Sequence, residues 1–212
     1  MKQFRDTLEV GLQLQKANVV LDPDTAHPEL YVSKDRRSIR EGFEDKRRRK
    51  NPKRFEECEY VLGCQGFSTG RHFWEVTIET EGQWAVGIAK QSVNRKGSSD
   101  LCPEEGIWEI GNWAGKYDTN FPPKCPEVPL TKNPKKIRVS LNCEGGQVTF
   151  FDAQTAALLY RFSEAPFAGE TLLPSFYLCE NICLTFHPKS GYRRGENFGK
   201  ISICPAGISE SL

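Results

Sequence analysis

The run VLGCQGFSTGRHFWEVTIETEGQWAVGIA, from Val61 to Ala89, constrains this chain more than any other stretch. Gly63, Gly66 and Gly70, with Ser68 and Thr69, punctuate its first third and read as turns. Between His72 and Ile78, Phe73, Glu75 and Thr77 alternate with Trp74, Val76 and Ile78. That period of two marks a strand with one buried face. Glu81 and Gly82 then turn the chain into a second alternating run carrying Trp84, Val86 and Ile88. Trp74 and Trp84, on successive strands, predict a bulky aromatic centre for an all-β core. The stretch offers no nucleophile, base or metal-ligand set, so this centre reads as structural.

With 212 residues, the chain has room for one large β domain or two small ones. The net charge of +1 sets up no global field toward nucleic acid or membrane. No apolar run reaches the length of a membrane span, and MKQFRDTLEV lacks the apolar core of a signal peptide. A cytoplasmic address is expected, with the nucleus as the variant. The eight cysteines contain no CxxC, and His27, His72 and His187 stand in no short Cys/His cluster. Reduced, mostly buried thiols are therefore expected, with no metal and no cofactor.

In chain order, Phe4, Leu8 and Leu12 recur at helical spacing, which predicts a helical linker over residues 1–17, the end of a coiled coil or a juxtamembrane segment. Ala17 to Ser33 reads as a short strand, an Asp-Pro-Asp turn and an extended Leu30-Tyr31-Val32. Lys34 to Arg54 reads as a polar loop, and Lys46, Arg47, Arg48, Arg49 and Lys50 form a candidate basic patch within it. No base-stacking aromatics are interleaved with those cations, so a solvated loop is the preferred reading and RNA binding the alternative. Strands are expected over Ile107–Trp113, Lys136–Leu141, Gln147–Asp152, Leu158–Phe162, Leu172–Tyr177, Ile182–Phe186 and Ile201–Cys204, with Gly145 and Gly146 in a hairpin turn. Short strands separated by Gly- and Pro-rich turns argue for a β-sandwich.

The segments LDPDTAHPELYVS, NPKRFEECEYVLGCQGFSTGRHFWEV, WAVGIAKQSVNRKG, PEEGIWEIG, LNCEGGQVTFFD and ISICP resemble, in that order, the PRY-SPRY domain of tripartite-motif ubiquitin ligases and butyrophilins. The resemblance covers residues 18–206, PRY over 18–66 and SPRY over 67–206, and leaves 207–212 as a tail. It implies a bent sandwich of two antiparallel sheets and a protein-interaction module whose loops form the binding face. It also implies a parent that dimerises through an upstream coiled coil, with no direct membrane contact by this domain.

For site residues, the resemblance implies a pocket near the second core tryptophan. Where the antibody-binding member has an acid, two tryptophans and a phenylalanine, this chain has Ala85, Gly111, Trp113 and Phe167. Lys96 matches one cation of the phosphoantigen-binding butyrophilins, which carry a histidine at the Ala85 position. The expected ligand site is a concave face rimmed by loops around 40–54, 94–102, 113–130 and 163–169, with Trp113, Tyr117 and Phe167 as anchors. Ala85 and Gly111 would leave room in its floor, with Arg95 and Lys96 beside it. Trp74, Trp84 and Trp108 are expected in the core.

No catalytic residues are expected. The histidines form no triad, Glu104 and Glu105 are adjacent in a loop, and no phosphate loop or HExxH occurs. The expected function is non-catalytic recognition of a protein or peptide, as the substrate-recognition domain of a tripartite-motif E3 ligase whose RING would lie outside this chain. The alternatives are a ligand-sensing domain of a butyrophilin-like receptor, on the cytoplasmic side of a membrane, and RNA binding through residues 46–54.

Overall fold

The computed structural model describes residues 13–42, 51–97, 102–113, 115–119, 128, 134–167, 169–179 and 199–205. Two sheets stack face to face. The first has eight strands. β1 is Leu14–Lys16, β2 Leu30–Val32, β3 Ser38–Glu41, β5 Arg71–Glu79, β9 Lys136–Asn142, β10 Gln147–Asp152, β11 Leu158–Phe162 and β13 Lys200–Ile203. Their order across the sheet is β11-β10-β9-β5-β13-β3-β2, with β1 joined to β5. The second sheet has β4 (Tyr60–Leu62), β6 (Gln83–Lys90), β7 (Ile107–Trp113), β8 (Lys116–Asp118) and β12 (Leu172–Cys179), in the order β4-β12-β6-β7-β8. Apart from the parallel β1–β5 pair, the ladders are antiparallel.

The two runs around Trp74 and Trp84 become β5 and β6. Although successive in the chain, they lie in different sheets and face one another across the core. Trp74, Trp84 and Trp108 are all buried in one continuous cluster with Val76, Val86, Ile88, Val139, Phe150 and Phe176. Alternation on each strand delivers these side chains to the interior, and their burial is the main force closing the sandwich.

Four segments depart from the sequence reading. Residues 17–20, expected as a short strand, carry only an isolated bridge at Leu21 beyond them. Lys116–Asp118, expected within a loop, forms β8. Residues 14–16, expected as the end of a helix, form β1 along Arg71–Phe73, where β13 does not reach β5. All three are exposed, so unpaired backbone on β5 outweighs the weak helical spacing in this part. Residues 1–12 lie outside the described residues. Ser38–Glu41, expected within a polar loop, is a strand held between β2 and β13 with Ile39 alone buried. The expected strand over 182–186 also lies outside the described residues.

Among the described residues, the five-stranded sheet is covered on both faces at one end. On its outer face Phe55, Tyr60, Leu62, Ala89, Val93, Ile107 and Leu173 make a second, smaller cluster. Segment 51–59, which leads into β4, folds over that end.

Candidate functional site

On β7, Ile110 and Trp108 point inward, so Glu109, Gly111 and Trp113 point outward. On β12 the outward set is Leu173, Ser175, Tyr177 and Cys179. The register places Tyr60, Tyr177, Ala85, Gly111 and Asp118 in one row across the five strands. Side chains of this face join into an aromatic chain. The Phe55 and Tyr60 ring centroids are 5.4 Å apart, Tyr60 and Tyr177 5.0 Å, and Tyr177 and Trp113 4.9 Å. The chain starts deep in the covered end and surfaces at half-buried Trp113. The Trp113 indole Nε1–H has no hydrogen-bond partner among the described residues.

Polar groups fix this row from below. The Tyr60 hydroxyl donates to Glu109 Oε1 at 2.6 Å, and burial, reinforced by that carboxylate, raises the Tyr60 phenol well above its usual value. Burial likewise pushes Tyr177 far up, with Cys179 and Glu59 adding to it. Both tyrosines are therefore neutral hydrogen-bonding groups throughout the physiological range.

The expected site residues separate into three places. Trp113, Ala85 and Gly111 lie together on the outer face. They do not leave room in a floor: Ala85 is 0% exposed. A Cβ built on Gly111 would stand 2.3 Å from the Trp84 carbonyl oxygen and 2.9 Å from the Ala85 Cβ. Glycine is needed here because β6 and β7 approach closely, not because a cavity opens above it. Tyr177, absent from the expected set, covers this row instead.

Phe167 and Tyr117 lie on the other side. Phe167 is 4% exposed and meets the Trp108 ring edge-on at 4.9 Å inside the main core. As an anchor exposed to a partner it is therefore wrong; it belongs to the core. Tyr117 pairs with Asn112, one residue before Trp113, and packs against the main cluster. It does not share a face with Trp113.

Arg95 and Lys96 form a basic corner on the 51–56 segment. Arg95 donates to the carbonyls of Lys53 and Gln91, at 3.1 and 2.9 Å. Lys96 Nζ donates to the carbonyls of Asn51 and Arg54 and to Glu56 Oε1, at 3.1, 3.0 and 2.8 Å. These cations clamp the segment that covers the second cluster. A groove of about 470 Å³ runs between Pro52-Lys53 and Gln91–Lys96. The basic patch at 46–50 lies outside the described residues. His27, Glu29 and Glu59 bring one ligand atom each within 4.8 Å of one another. Both His27 ring nitrogens are already engaged, however, with the Glu56 carbonyl at 3.1 Å and the Glu29 N–H at 3.3 Å.

A two-sheet sandwich with this strand order and motif order defines a class, and comparison with known proteins agrees. The SPRY domain family matches residues 71–190 and the SPRY-associated domain PRY matches 19–67. The chain belongs to the SPRY family, in its PRY-SPRY form. Mouse butyrophilin subfamily 2 member A2 is 36% identical over 193 residues, covering 91% of this chain and 34% of its own. The rat E3 ubiquitin-protein ligase TRIM11 is 37% identical over 161 residues, covering 76% and 34%. The chain thus spans about a third of the length of these relatives. The crystal structure of the TRIM65 PSpry domain superposes with a TM-score of 0.70 at 18% identity, covering 96% of this chain and 95% of that one. No helix among the described residues is long and apolar enough to cross a membrane.

Proposed function

We propose that this domain is a non-catalytic recognition module that takes a peptide or surface loop of a protein partner at the Tyr177–Trp113 end of the five-stranded sheet. The supporting observation is Trp113 itself: half-buried at the end of the aromatic chain, ring-to-ring with Tyr177 at 4.9 Å. A partner that lays an apolar side chain on the accessible part of the Trp113 ring would bury it against Tyr177. Aromatic residues of this kind dominate binding energy once desolvated. In a tripartite-motif parent the partner would be a ubiquitination substrate, with the RING elsewhere in that parent. In a butyrophilin-like parent it would be an intracellular regulator. The broader coverage by a butyrophilin relative, 91% of this chain, supports keeping that second reading.

A displayed peptide library selected on the wild-type domain tests the face. Selected peptides should lose about 30-fold or more in affinity on Trp113→Ala, equivalent to about 2 kcal/mol. Peptides that bind Trp113→Ala and Tyr177→Ala as tightly as wild type would place recognition elsewhere. Binding of RNA that survives moderate salt would favour the basic loop instead.

A further inference from the structure

We propose that Cys58 and Cys179 are a cross-strand thiol pair that closes to a disulfide under peroxide, tethering the start of β4 to the end of β12 beside Tyr177. The β4–β12 register pairs Leu62 with Ser175, Val61 with Phe176 and Tyr60 with Tyr177. The same numbering continued past Tyr60 leads toward Cys58 and Cys179, although the chain turns at Glu59 just before it reaches Cys58. The Leu178 N–H donates to the Glu59 carbonyl at 3.3 Å, which carries the register one step past the strand end.

The phase of the ladder is right for a bridge. Gly63 N–H to the Pro174 carbonyl and Leu178 N–H to the Glu59 carbonyl mark those as hydrogen-bonded pairs. Counting alternately, Tyr60/Tyr177 is a non-hydrogen-bonded pair, and Cys58/Cys179 would be the next position of that kind if the strand ran on. Facing residues in such pairs have Cα atoms about 4.5 Å apart with side chains closest, at the near end of the roughly 4.4–6.8 Å range of disulfides.

The surroundings agree. Cys58 and Tyr177 pack on the same outer-face cluster, and Cys179 stands close enough to the Tyr177 hydroxyl to help push that phenol up. Cys58 is also near enough to interact electrostatically with both Tyr60 and Tyr177. Both cysteines are half-buried thiols, so a small oxidant can reach them. Cys58 precedes β4 behind a turn in which the Tyr60 N–H donates to the Cys58 carbonyl at 2.7 Å. It can therefore approach Cys179 by rotating about Glu59 rather than by shifting the strand.

The chemistry is the usual two-step oxidation. One sulfur attacks the peroxide, an S–O bond forms as the O–O bond breaks, and water leaves, giving a sulfenic acid. The second sulfur displaces that hydroxyl, the S–S bond forms, and a second water carries away the remaining thiol proton. Two thiols lose two electrons and one peroxide becomes two waters. In reducing compartments, disulfides of this kind are transient and act as sensors. Here the bridge would fasten edge strand β4 to the end of β12 that carries Tyr177.

The test is to treat the purified, reduced full chain with hydrogen peroxide, block remaining thiols, digest without reductant and map disulfides by mass spectrometry. The expected first event is loss of two titratable thiols and appearance of a Cys58–Cys179 linked peptide that dithiothreitol reverses. Cys183 lies only four residues beyond Cys179, so the Cys183→Ser chain should form the same link and Cys58→Ser should not. A first bridge between Cys179 and Cys183, or conversion of Cys58 and Cys179 to sulfinic acids with no link, would overturn the proposal. Should Cys58→Ser fail to fold, the wild-type and Cys183→Ser maps decide alone.

Discussion

Phe167→Ala and Trp113→Ala separate core from recognition surface, because the two rings sit on opposite sides of the same sheet. Phe167 is 4% exposed, and its ring packs edge-on against Trp108 at 4.9 Å. Truncating a buried phenylalanine in a close-packed core costs about 3–5 kcal/mol, including the cavity left behind. Trp113 is half-buried, with one face on Tyr177. It stands to lose an aromatic pair worth about 0.5–1.5 kcal/mol and part of its apolar burial, in all about 2 kcal/mol or less. For a domain of this size 1 kcal/mol moves Tm by about 2–4 °C. Phe167→Ala should therefore melt about 6–20 °C lower than wild type, and Trp113→Ala no more than about 8 °C lower. Denaturant titration should give the same order at unchanged m-value, and partner affinity should fall for Trp113→Ala alone in variants that stay folded. If Trp113→Ala destabilises as much as Phe167→Ala, Trp113 is a core residue and the proposed face is wrong.

Gly111→Ala should be destabilising by about 1–3 kcal/mol although it adds one methyl, because the new Cβ meets the Trp84 carbonyl oxygen at 2.3 Å and a backbone must shift; chemical denaturation that matches wild type would show that β6 and β7 can part without cost. Glu75 supplies a pH-dependent contribution. Burial acts to raise its carboxyl, but hydrogen bonds and charge from Lys136 and Arg138, at 2.7 Å each, outweigh this and leave it below the ordinary glutamate value. A lowered carboxylate stabilises the fold above its unfolded pKa of about 4.3 and loses that contribution as pH falls through the folded pKa. Stability of wild type minus Glu75→Gln, followed by urea midpoints from pH 7 to pH 3, should therefore shrink below about pH 4; a constant difference would refute the linkage. Lys96→Ala should loosen segment 51–56 by removing three donors from one ammonium, at about 1 kcal/mol and with faster amide exchange at Phe55 and Glu56, unless that segment is held mainly by Phe55.

Much of the fold was legible because alternation is strong where burial is complete. Trp74, Trp84 and Trp108 each sit in a period-two run, and each is buried where that run places it. β1 and β3 escaped because neither is built from its own side chains: β1 buries none and β3 only Ile39. Both exist because neighbouring strands present open backbone, information that lies far away in the chain. The site was half legible. Trp113 was named, but the parity that sends Trp108 and Ile110 inward also sends Trp113 outward, away from Phe167 and Tyr117. Reading that parity through LLPSFYLC would have found Tyr177. In that strand Leu172, Phe176 and Leu178 alternate with Ser175, Tyr177 and Cys179, an outer face that is partly polar.

The remaining expected residues gain a role from the same division of the sheet. An outer face lined by Leu62, Ala89, Ile107 and Leu173 at one end and by Tyr177 and Trp113 at the other would expose a continuous apolar band. Segment 51–59 closes the first end by inserting Phe55, which is 1% exposed. A segment that short, with its single large apolar anchor, needs polar fastening. Arg95 and Lys96 provide it, together spanning the carbonyls of Asn51, Lys53 and Arg54, while the Glu56 N–H returns a bond to the Arg95 carbonyl at 3.0 Å. Cations that looked like ligand contacts thus act one step earlier. They fasten the segment that covers the first end, and among the described residues that segment leaves the Tyr177–Trp113 end, where the proposed recognition face lies, clear.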